Sequence, residues 1–595
     1  MAETPRLRGS RLAAALVLLL AAGPFASAQG GVDRGATLEG VEVRAWCPWP
    51  DATNKGYYPI YVELANGSDR PRRVELFGRG SAGIGTSIEC WRELAPGERV
   101  RTELLAPAWG AQHYWWQSNY RMRVRVAGEQ RELGQVGPER SHLEGVHAVL
   151  YLTPRQLEAG QAERWSDELG YEQITDRSAG GDVSNVRLQP LLFEDMPGRY
   201  EVYTSLDLAV LDTAAGLPPP ERLATLLAWA RAGGTVALFG PGATELARSV
   251  PQLAPWLEPR FGLQAWESTR SWSYGMGRVL VGDAAAGAFP TQEQRGAIHW
   301  TLHRPTSPVP DDTAQRRAGI AAEPPSIPGL GQLPYRTFVV LLVLFALLIG
   351  PVNFIWVKKL NRPALLLLTI PGVAFAAALG LLLYGMLHQG IDVKTASESV
   401  TVLDQRLRRA ASCETRQLFV GLMAGAGLRP SAGTAVFPLS SGWGRRNAEQ
   451  YVIGQTGGLV LTGDFLPSRR PVHQVILVER SSRLRLEVVA GDGGLRVENG
   501  LDAEVLRLYV RDADGGFHEL DGPLGRGEAG TLRPLDDAGR GYAELASGFA
   551  APAHSYYVAE LAENPFRDDC GIETREYVGR HRVLGVLAAP GEEGR

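Results

Sequence analysis

The sequence predicts a multidomain protein: a β-sandwich, a flavodoxin-like α/β domain, a two-helix transmembrane hairpin and a second β-rich domain, in that order along 595 residues. Three observations predict it. An export-signal pattern opens the chain, two long uncharged apolar runs stand near its middle, and the flanking segments switch from strand alternation to strand–helix–strand grammar and back. One hydrophobic core does not extend over a chain of this length, so several units of roughly 100 to 200 residues are expected.

Residues 1–28 read as a signal peptide. Arg6, Arg8 and Arg11 precede the apolar run Leu12 to Ala22, and Ala26-Ser27-Ala28 offers a small-x-small cleavage site. An uncleaved anchor is the alternative, disfavoured because the run is shorter than the roughly 20 residues a crossing needs. Residues 32–140 alternate and turn often. Tyr58 to Gly67 reads as a strand entering a turn, Arg72 to Phe77 as its partner, and Leu94-Ala95-Pro96-Gly97-Glu98 as a break before Val100 to Leu105. Tyr120 to Val126 then alternates apolar residues with arginine, and short strands at this spacing predict an immunoglobulin-like sandwich. The cluster Trp109, Tyr114, Trp115 and Trp116 reads as core and rim aromatics of that sandwich, with a carbohydrate- or partner-binding surface as the other reading.

Residues 141–305 change grammar. Val146 to Leu152 and Leu208 to Leu211 are buried-strand runs, with a helix expected over Pro154 to Leu169. Pro220 to Ala232 is an amphipathic helix closed by Gly233-Gly234 before the strand Thr235 to Phe239. Arg278 to Val281 and the closing helix Thr291 to Leu302 complete a parallel sheet with right-handed crossovers. Residues 306–334, rich in Pro, Ala, Gly and Asp, read as a linker.

The hairpin is expected over 335–388. Thr337 to Val357 and Ala364 to Leu387 carry no charge, and Lys358-Lys359-Leu360-Asn361-Arg362-Pro363 between them is basic. The positive-inside rule puts that turn in the cytoplasm and both soluble portions outside, in agreement with the signal peptide. Pro351 and Pro371 are expected to kink the two helices. Residues 389–595 return to alternation, at Ser399 to Leu403, Gly458 to Thr462, Val472 to Glu479, Leu484 to Val489, Leu495 to Asn499 and Leu506 to Val510. Leu495 to Gly500 followed by Leu506 to Val510 echoes Val62 to Gly67 followed by Val74 to Leu76, so a second sandwich built on related principles is expected.

The run LAVLDTAAGLPPPERLATLLAWARAGGTVALFGPG from Leu208 to Gly242, with Tyr274-Gly275-Met276-Gly277-Arg278-Val279, resembles the class I glutamine amidotransferase-like domains of bacterial envelope proteins. Gly350-Pro351-Val352-Asn353 before the basic turn and the Arg362-Pro363 restart look like the same group. The resemblance implies outer β and α/β domains, a membrane hairpin and an auxiliary role in the envelope. True amidotransferases of this fold place a cysteine at the strand-to-helix elbow. Here that elbow is Phe239-Gly240-Pro241-Gly242-Ala243-Thr244, and no cysteine stands between Cys90 and Cys413, which removes glutamine hydrolysis by that mechanism.

No catalytic residue, metal site or cofactor is therefore expected. The candidate ligand crevice is lined by Asp212, Gly240, Gly242 and Thr244. Asp212 ends a buried strand where α/β sheets place ligands, and the two glycines precede a helix whose N–H groups could face an anion. Asp207 flanks the same strand, and His299 and His303 on the closing helix read as structural. Cys47 and Cys90, and Cys413 and Cys570, are expected as two disulfides of an oxidising compartment, although three connectivities, or unpaired buried thiols, fit the count. Sixty-one basic against 65 acidic residues give a net charge of -4, with no excess to neutralise phosphates, so nucleic acid is excluded as a partner. The function expected is a membrane-anchored, non-catalytic assembly component with a protein partner in the envelope; the alternative is a ligand sensor or hydrolase using the crevice.

Overall fold

The computed structural model describes residues 34–587, apart from 53–54, 81–84, 110–118, 142–145, 171–184, 258–263, 285–288, 303–305, 309–324, 331–334, 361–362, 390–391, 422–426, 440–449, 492–493, 537–538, 550–554 and the single residues 50, 139, 329 and 548. The signal peptide, Tyr114, Trp115, Trp116, His303 and most of the linker lie outside the described residues.

The protein is built from several β-sheets and helical regions, including one long apolar helix. At its amino-terminal end the strands Arg34–Leu38, Val41–Trp46, Tyr57–Asn66 and Arg99–Pro107 form a four-stranded antiparallel sheet. A six-stranded sheet contains Thr86–Leu94, Arg72–Gly80, Tyr120–Val126 and Glu129–Val136. In Tyr120–Val126 the expected alternation holds: Tyr120, Met122, Val124 and Val126 are buried and the intervening arginines exposed. The same sheet is extended by Tyr451–Gly454, lying parallel to Thr86–Leu94, and by Val460–Gly463. These two strands come from the portion read as a separate carboxy-terminal unit. Short edge strands carry no signal of the sheet they will join, because backbone pairing is indifferent to chain position.

A central seven-stranded sheet has the order Asn185–Leu192, Val146–Thr153, Leu208–Asp212, Thr235–Phe239, Gly277–Gly282, Thr269–Tyr274, Gln264–Ala265. The first five are parallel, Thr269–Tyr274 pairs antiparallel to them, and Gln264–Ala265 pairs antiparallel to Thr269–Tyr274. Its helices include Gln161–Gly170, Pro220–Arg231 and Gln292–Leu302. The first begins later than the sequence suggests, Pro154 to Glu158 remaining non-helical.

The remaining strands form an eleven-stranded sheet, from Thr434–Leu439 through Val472–Ser481, Arg409–Val420, Val393–Asp404, Thr574–Val586 and Tyr556–Leu561 to Val505–Arg511 and a curled end of four short strands. The echo seen in the sequence is structural. Asn66 Nδ2 donates to the carbonyls of Leu94 and Ala95 at 3.1 Å and of Arg70 at 2.8 Å. Asn499 Nδ2 donates to Ala503, Leu524 and Gly525 at 2.8, 3.1 and 3.0 Å. In both corners the asparagine N–H donates to a glutamate carbonyl, Glu98 or Glu528, at 2.9 Å. That glutamate's carboxylate in turn accepts from the N–H three residues back, Ala95 or Gly525. One asparagine thus shares its two amide protons among three carbonyls where the chain leaves each sheet, those of Leu94, Ala503 and Leu524 being buried.

The sheets do not stand apart. A continuous apolar core runs from Leu38 through the central sheet to Val586. Polar contacts cross it: Arg231 meets Glu479 at 2.7 Å, Trp256 Nε1 donates to Asp404 Oδ2 at 2.8 Å, and Tyr200 Oη donates to the carbonyls of Gly433 and Leu477 at 3.1 and 3.2 Å. Tyr57 of the amino-terminal sheet likewise donates its hydroxyl to the Val436 carbonyl.

Among the described residues one helix, Val339–Lys359, is long and apolar enough to cross a membrane. Apart from the buried Asn353 and Val357, its side chains are exposed or half-exposed, unlike those of a core helix. Pro351 is accommodated by a π-helical turn over Leu348–Val352. The helix Leu366–Gln389 follows, with a described apolar stretch of Leu366–Leu381.

The disulfide expectation is corrected: all four cysteines are free. Cys47 lies beside the four-stranded sheet and donates its thiol to the Trp49 carbonyl at 3.3 Å, whereas Cys90 is on a strand of the other sheet and approaches the Gln455 carbonyl. Cys413 alternates with Glu414 and Arg416 on its strand and so faces the opposite side of the sheet from Arg416. Cys570 sits against Arg416, which the sheet separates from Cys413. Burial pushes the Cys413 thiol up to about 12 and the Cys570 thiol up to about 11. Both are inert as nucleophiles near neutrality.

Candidate functional site

In the central sheet the strand order reverses between Val146–Thr153 and Leu208–Asp212, which are neighbours although their crossovers leave in opposite directions. Such a switch point opens a crevice at the carboxyl ends of the strands. Asp212, Gly240, Gly242 and Thr244 all lie at this end. Asp212 Oδ1 accepts from the Ala214 N–H at 3.0 Å and caps the short turn Thr213–Ala215. Gly240, at φ 145°, lets the next loop close against that turn: a Cβ there would lie 2.6 Å from Thr213 Oγ1 and 3.0 Å from Ala214 N. Gly242 is left-handed at φ 69° and starts the seven-residue helix Ala243–Ser249.

The structure thus brings Asp212 and Gly240 together around Thr213 and Ala214, but the groups expected to face a ligand face the protein. The Thr244 N–H donates to Asp283 Oδ1 at 3.1 Å, so a carboxylate of the chain itself takes the place an anion would occupy. Aromatic rings fill the switch point. Tyr151 packs on Trp165 at 5.1 Å and on Phe289 at 5.0 Å, with Phe239 stacked behind Phe289 at 6.3 Å. Burial and the neighbouring Asp212 carboxylate raise the Tyr151 phenol well above its ordinary range, so it stays protonated. His299 is buried within the helix Gln292–Leu302. Of the aromatic cluster read as core or surface, Trp109 packs edge-on against Tyr57, Tyr451 and Phe465.

Asp207, at the amino end of the same strand, meets residues that the sequence did not single out. It accepts from Lys55 Nζ at 2.5 Å and from the Ala148 N–H at 3.1 Å, with His147 Nδ1 at 3.3 Å. Burial pushes this carboxyl up, but Lys55 and His147 outweigh it and hold it below the usual range. The pair joins the turn before Tyr57–Asn66 to the central sheet.

A second polar concentration lies under the eleven-stranded sheet. Thr395, Ser397, Ser399 and Thr401 alternate along one strand and are all buried, facing Ser412, Glu414, Arg416 and His581 on its neighbours. The turn from Asn564 to Cys570 covers them. Arg567 donates to Glu414 at 3.2 Å, to Ser397 Oγ at 2.6 Å and to Glu576 at 3.0 Å. Ser399 Oγ lies 2.9 Å from His581 Nδ1, and His581 Nε2 lies 3.3 Å from Glu576 Oε1 without hydrogen-bond alignment. Serine, histidine and glutamate are the residue types of a hydrolytic relay. Ser399 is mid-strand and 1% exposed, so its hydroxyl meets no substrate. The network holds a polar sheet face together, with His581 Nε2 and Arg416 Nε left without a hydrogen bond. Among the described residues no three His, Cys, Asp or Glu side chains gather where a metal ion could be held.

No family model matches the chain, and no curated protein matches it. The glutamine amidotransferase-like assignment is accordingly not retained. Among solved structures, the yeast delta-COP-I mu-homology domain, alone or complexed with a Dsl1 WxWxV peptide, aligns over 33% of this chain and 95% or 96% of its own, at 8% identity and a TM-score of 0.15. A calcium-binding mutant of Bacteroides uniformis β-glucuronidase 2 aligns over 35% of this chain and 34% of its own, at 12% identity and the same TM-score. At that TM-score the likeness carries no argument about fold or function.

Proposed function

We propose that the chain is a membrane-anchored envelope component acting through surfaces rather than through chemistry: a non-catalytic assembly subunit held beside a membrane protein partner. In this reading the central unit is a flavodoxin-like domain, the amino-terminal sheets are a β-sandwich, and Val339–Lys359 with Leu366–Gln389 forms a hairpin whose Lys358-Lys359 turn is cytoplasmic. The soluble units then stand on the outer side.

One observation carries the reading. The crevice at the switch point is occupied by the protein's own groups: Asp212 by the Ala214 N–H, the Thr244 N–H by Asp283, and the space between by Tyr151, Trp165 and Phe289. The interlocked sheets support it further, since buried ion pairs between units favour a rigid body that presents fixed surfaces over one that closes on a substrate.

The test is purification of the full chain from gently solubilised membranes, with Asp212→Asn carried in parallel. A stoichiometric membrane-protein partner retained by both forms is expected. A lone protein whose melting temperature rises with a small molecule in the wild type but not in Asp212→Asn would overturn the reading in favour of a ligand sensor or hydrolase.

A further inference from the structure

Two short connections tie one corner of the eleven-stranded sheet to the membrane segments. On the way in, Ile327 and Leu330 pack on Ala396 and Phe419, and the Ile327 N–H donates to Gln417 Oε1 at 2.7 Å. The first apolar helix begins five residues after Leu330, at Tyr335. On the way out, Leu366–Gln389 ends four residues before the strand Val393–Asp404 begins. Four residues span at most about 14 Å and five at most about 18 Å. A 24-residue helix is about 36 Å long, more than the roughly 30 Å hydrocarbon core, so its end reaches the headgroups. Val393 is thereby tethered within about 14 Å of the helix end, at the face of the bilayer.

That corner has an unusual edge. Thr574–Val586 runs parallel to Val393–Asp404, and between the pairs Thr395–Glu576 and Ala396–Val578 it carries one extra residue, Tyr577. The bulge separates two roles. Glu576 turns inward to Arg567, while Tyr577 and Val578 point out, 43% and 42% exposed. Lys394 and Arg575 stand over the Tyr577 ring, at 5.4 and 5.5 Å from its centroid. A tyrosine between two cations, beside a β-branched apolar residue, is the composition that proteins place at the headgroup layer: the ring has an apolar body and a polar tip, and the cations meet phosphates.

We propose that this bulge is a membrane-contact site, with Tyr577 and Val578 seated among the lipid headgroups and Lys394 and Arg575 on their phosphates. The proposal rests on the membrane anchoring read above. Its occupant is the phosphocholine-like headgroup layer itself. Asp392 and Glu573 nearby offset the two cations, so seating does not require anionic lipid. The contact fixes the sheet upright on the bilayer and directs the central and amino-terminal sheets away from it.

The test uses the full chain in phosphatidylcholine vesicles, carrying Cys413→Ser so that no half-buried native thiol competes for a nitroxide label. The label is placed at Val578→Cys and, as a control, at Asp514→Cys. Asp514 is exposed in a turn at the opposite end of the sheet, beyond the Asp404 end of the neighbouring strand and about 30 Å away by strand rise. At Val578 the proposal expects the relaxation ratio of oxygen to a water-soluble nickel complex to be raised several-fold over the control, and to fall in Tyr577→Asp. A ratio equal to the control, in protein that still floats with the vesicles after an alkaline wash, overturns the contact while leaving anchoring intact. Protein that fails to float overturns anchoring and the contact with it.

Discussion

The ion pair between Arg231 and Glu479 holds the central sheet to the eleven-stranded sheet, and Glu479→Ala measures how firmly. Glu479 accepts from Arg231 Nη2 at 2.7 Å and Nε at 2.8 Å, with Arg409 Nη1 3.8 Å from its other oxygen. Both side chains of the pair are about 5% exposed. Removing the carboxylate leaves a buried guanidinium with Tyr274 Oη at 2.7 Å and Gln252 Oε1 at 3.4 Å, neither of them charged. Breaking a buried pair from one side costs about 3 to 5 kcal/mol. A multidomain chain has no single unfolding free energy, so the readout is local: amide exchange at Glu479 and its neighbours, where the residue-479 N–H donates to the Gly433 carbonyl at 2.9 Å. At about 1.4 kcal/mol per tenfold, exchange through opening of the interface should quicken by roughly two to three and a half orders of magnitude. Arg231→Met with Glu479→Leu, which removes both charges and keeps the volume, should exchange within about tenfold of wild type. Exchange in Glu479→Ala that matches wild type, or a double variant as fast as the single, would refute the claim that this pair locks the two sheets.

The remaining predictions concern the corners, the Asp207 pair, the crevice and the thiols. Asn499→Ala strands the buried Ala503 and Leu524 carbonyls and should destabilise its sheet by about 2 to 3 kcal/mol, whereas Asn66→Ala strands chiefly that of Leu94 and should cost about 1 to 2 kcal/mol, each read by exchange at its own corner and not at the other. The Asp207 carboxyl is held below its unfolded value, so its contribution is complete above about pH 4 and is lost as pH falls through the folded pKa. Thermal scans should therefore show a steeper acid loss in wild type than in Asp207→Asn, which starts lower at neutral pH. Gly240→Ala must both clash with Thr213 and hold positive φ, and should cost more than about 2 kcal/mol; Gly242→Ala meets nothing within 4 Å and should cost about 1 kcal/mol. The four thiols should resist iodoacetamide in the native protein and all react once it is unfolded, with no mobility change on reduction.

The sequence by itself determined what local periodicity and composition encode. Alternation in Tyr120–Val126, the strand, helix, Gly-Gly, strand run from Leu208 to Phe239, and the exposed apolar helix Val339–Lys359 were all legible because each rests on neighbours within a few residues. The echo between the two Asn-Gly segments was legible as well, but the carbonyls each asparagine holds, such as Leu94 for Asn66 and Leu524 for Asn499, come from a strand end brought beside it by the fold. The candidate site was legible in position only: Asp212 and Gly240 do meet at the switch point, but only the tertiary structure decided that Asp283, 39 residues from Thr244, caps the helix there and that Phe289 closes the space. The cysteine pairing failed for the same reason, because which side of which sheet a thiol faces is a property of the assembled layers. Lys55 with Asp207, Arg231 with Glu479, and the strand Tyr451–Gly454 beside Thr86–Leu94 join residues 152 to 365 positions apart. A lysine or arginine destined for burial looks like any surface cation until its partner arrives, since one charge finds its counterion through space and not along the chain.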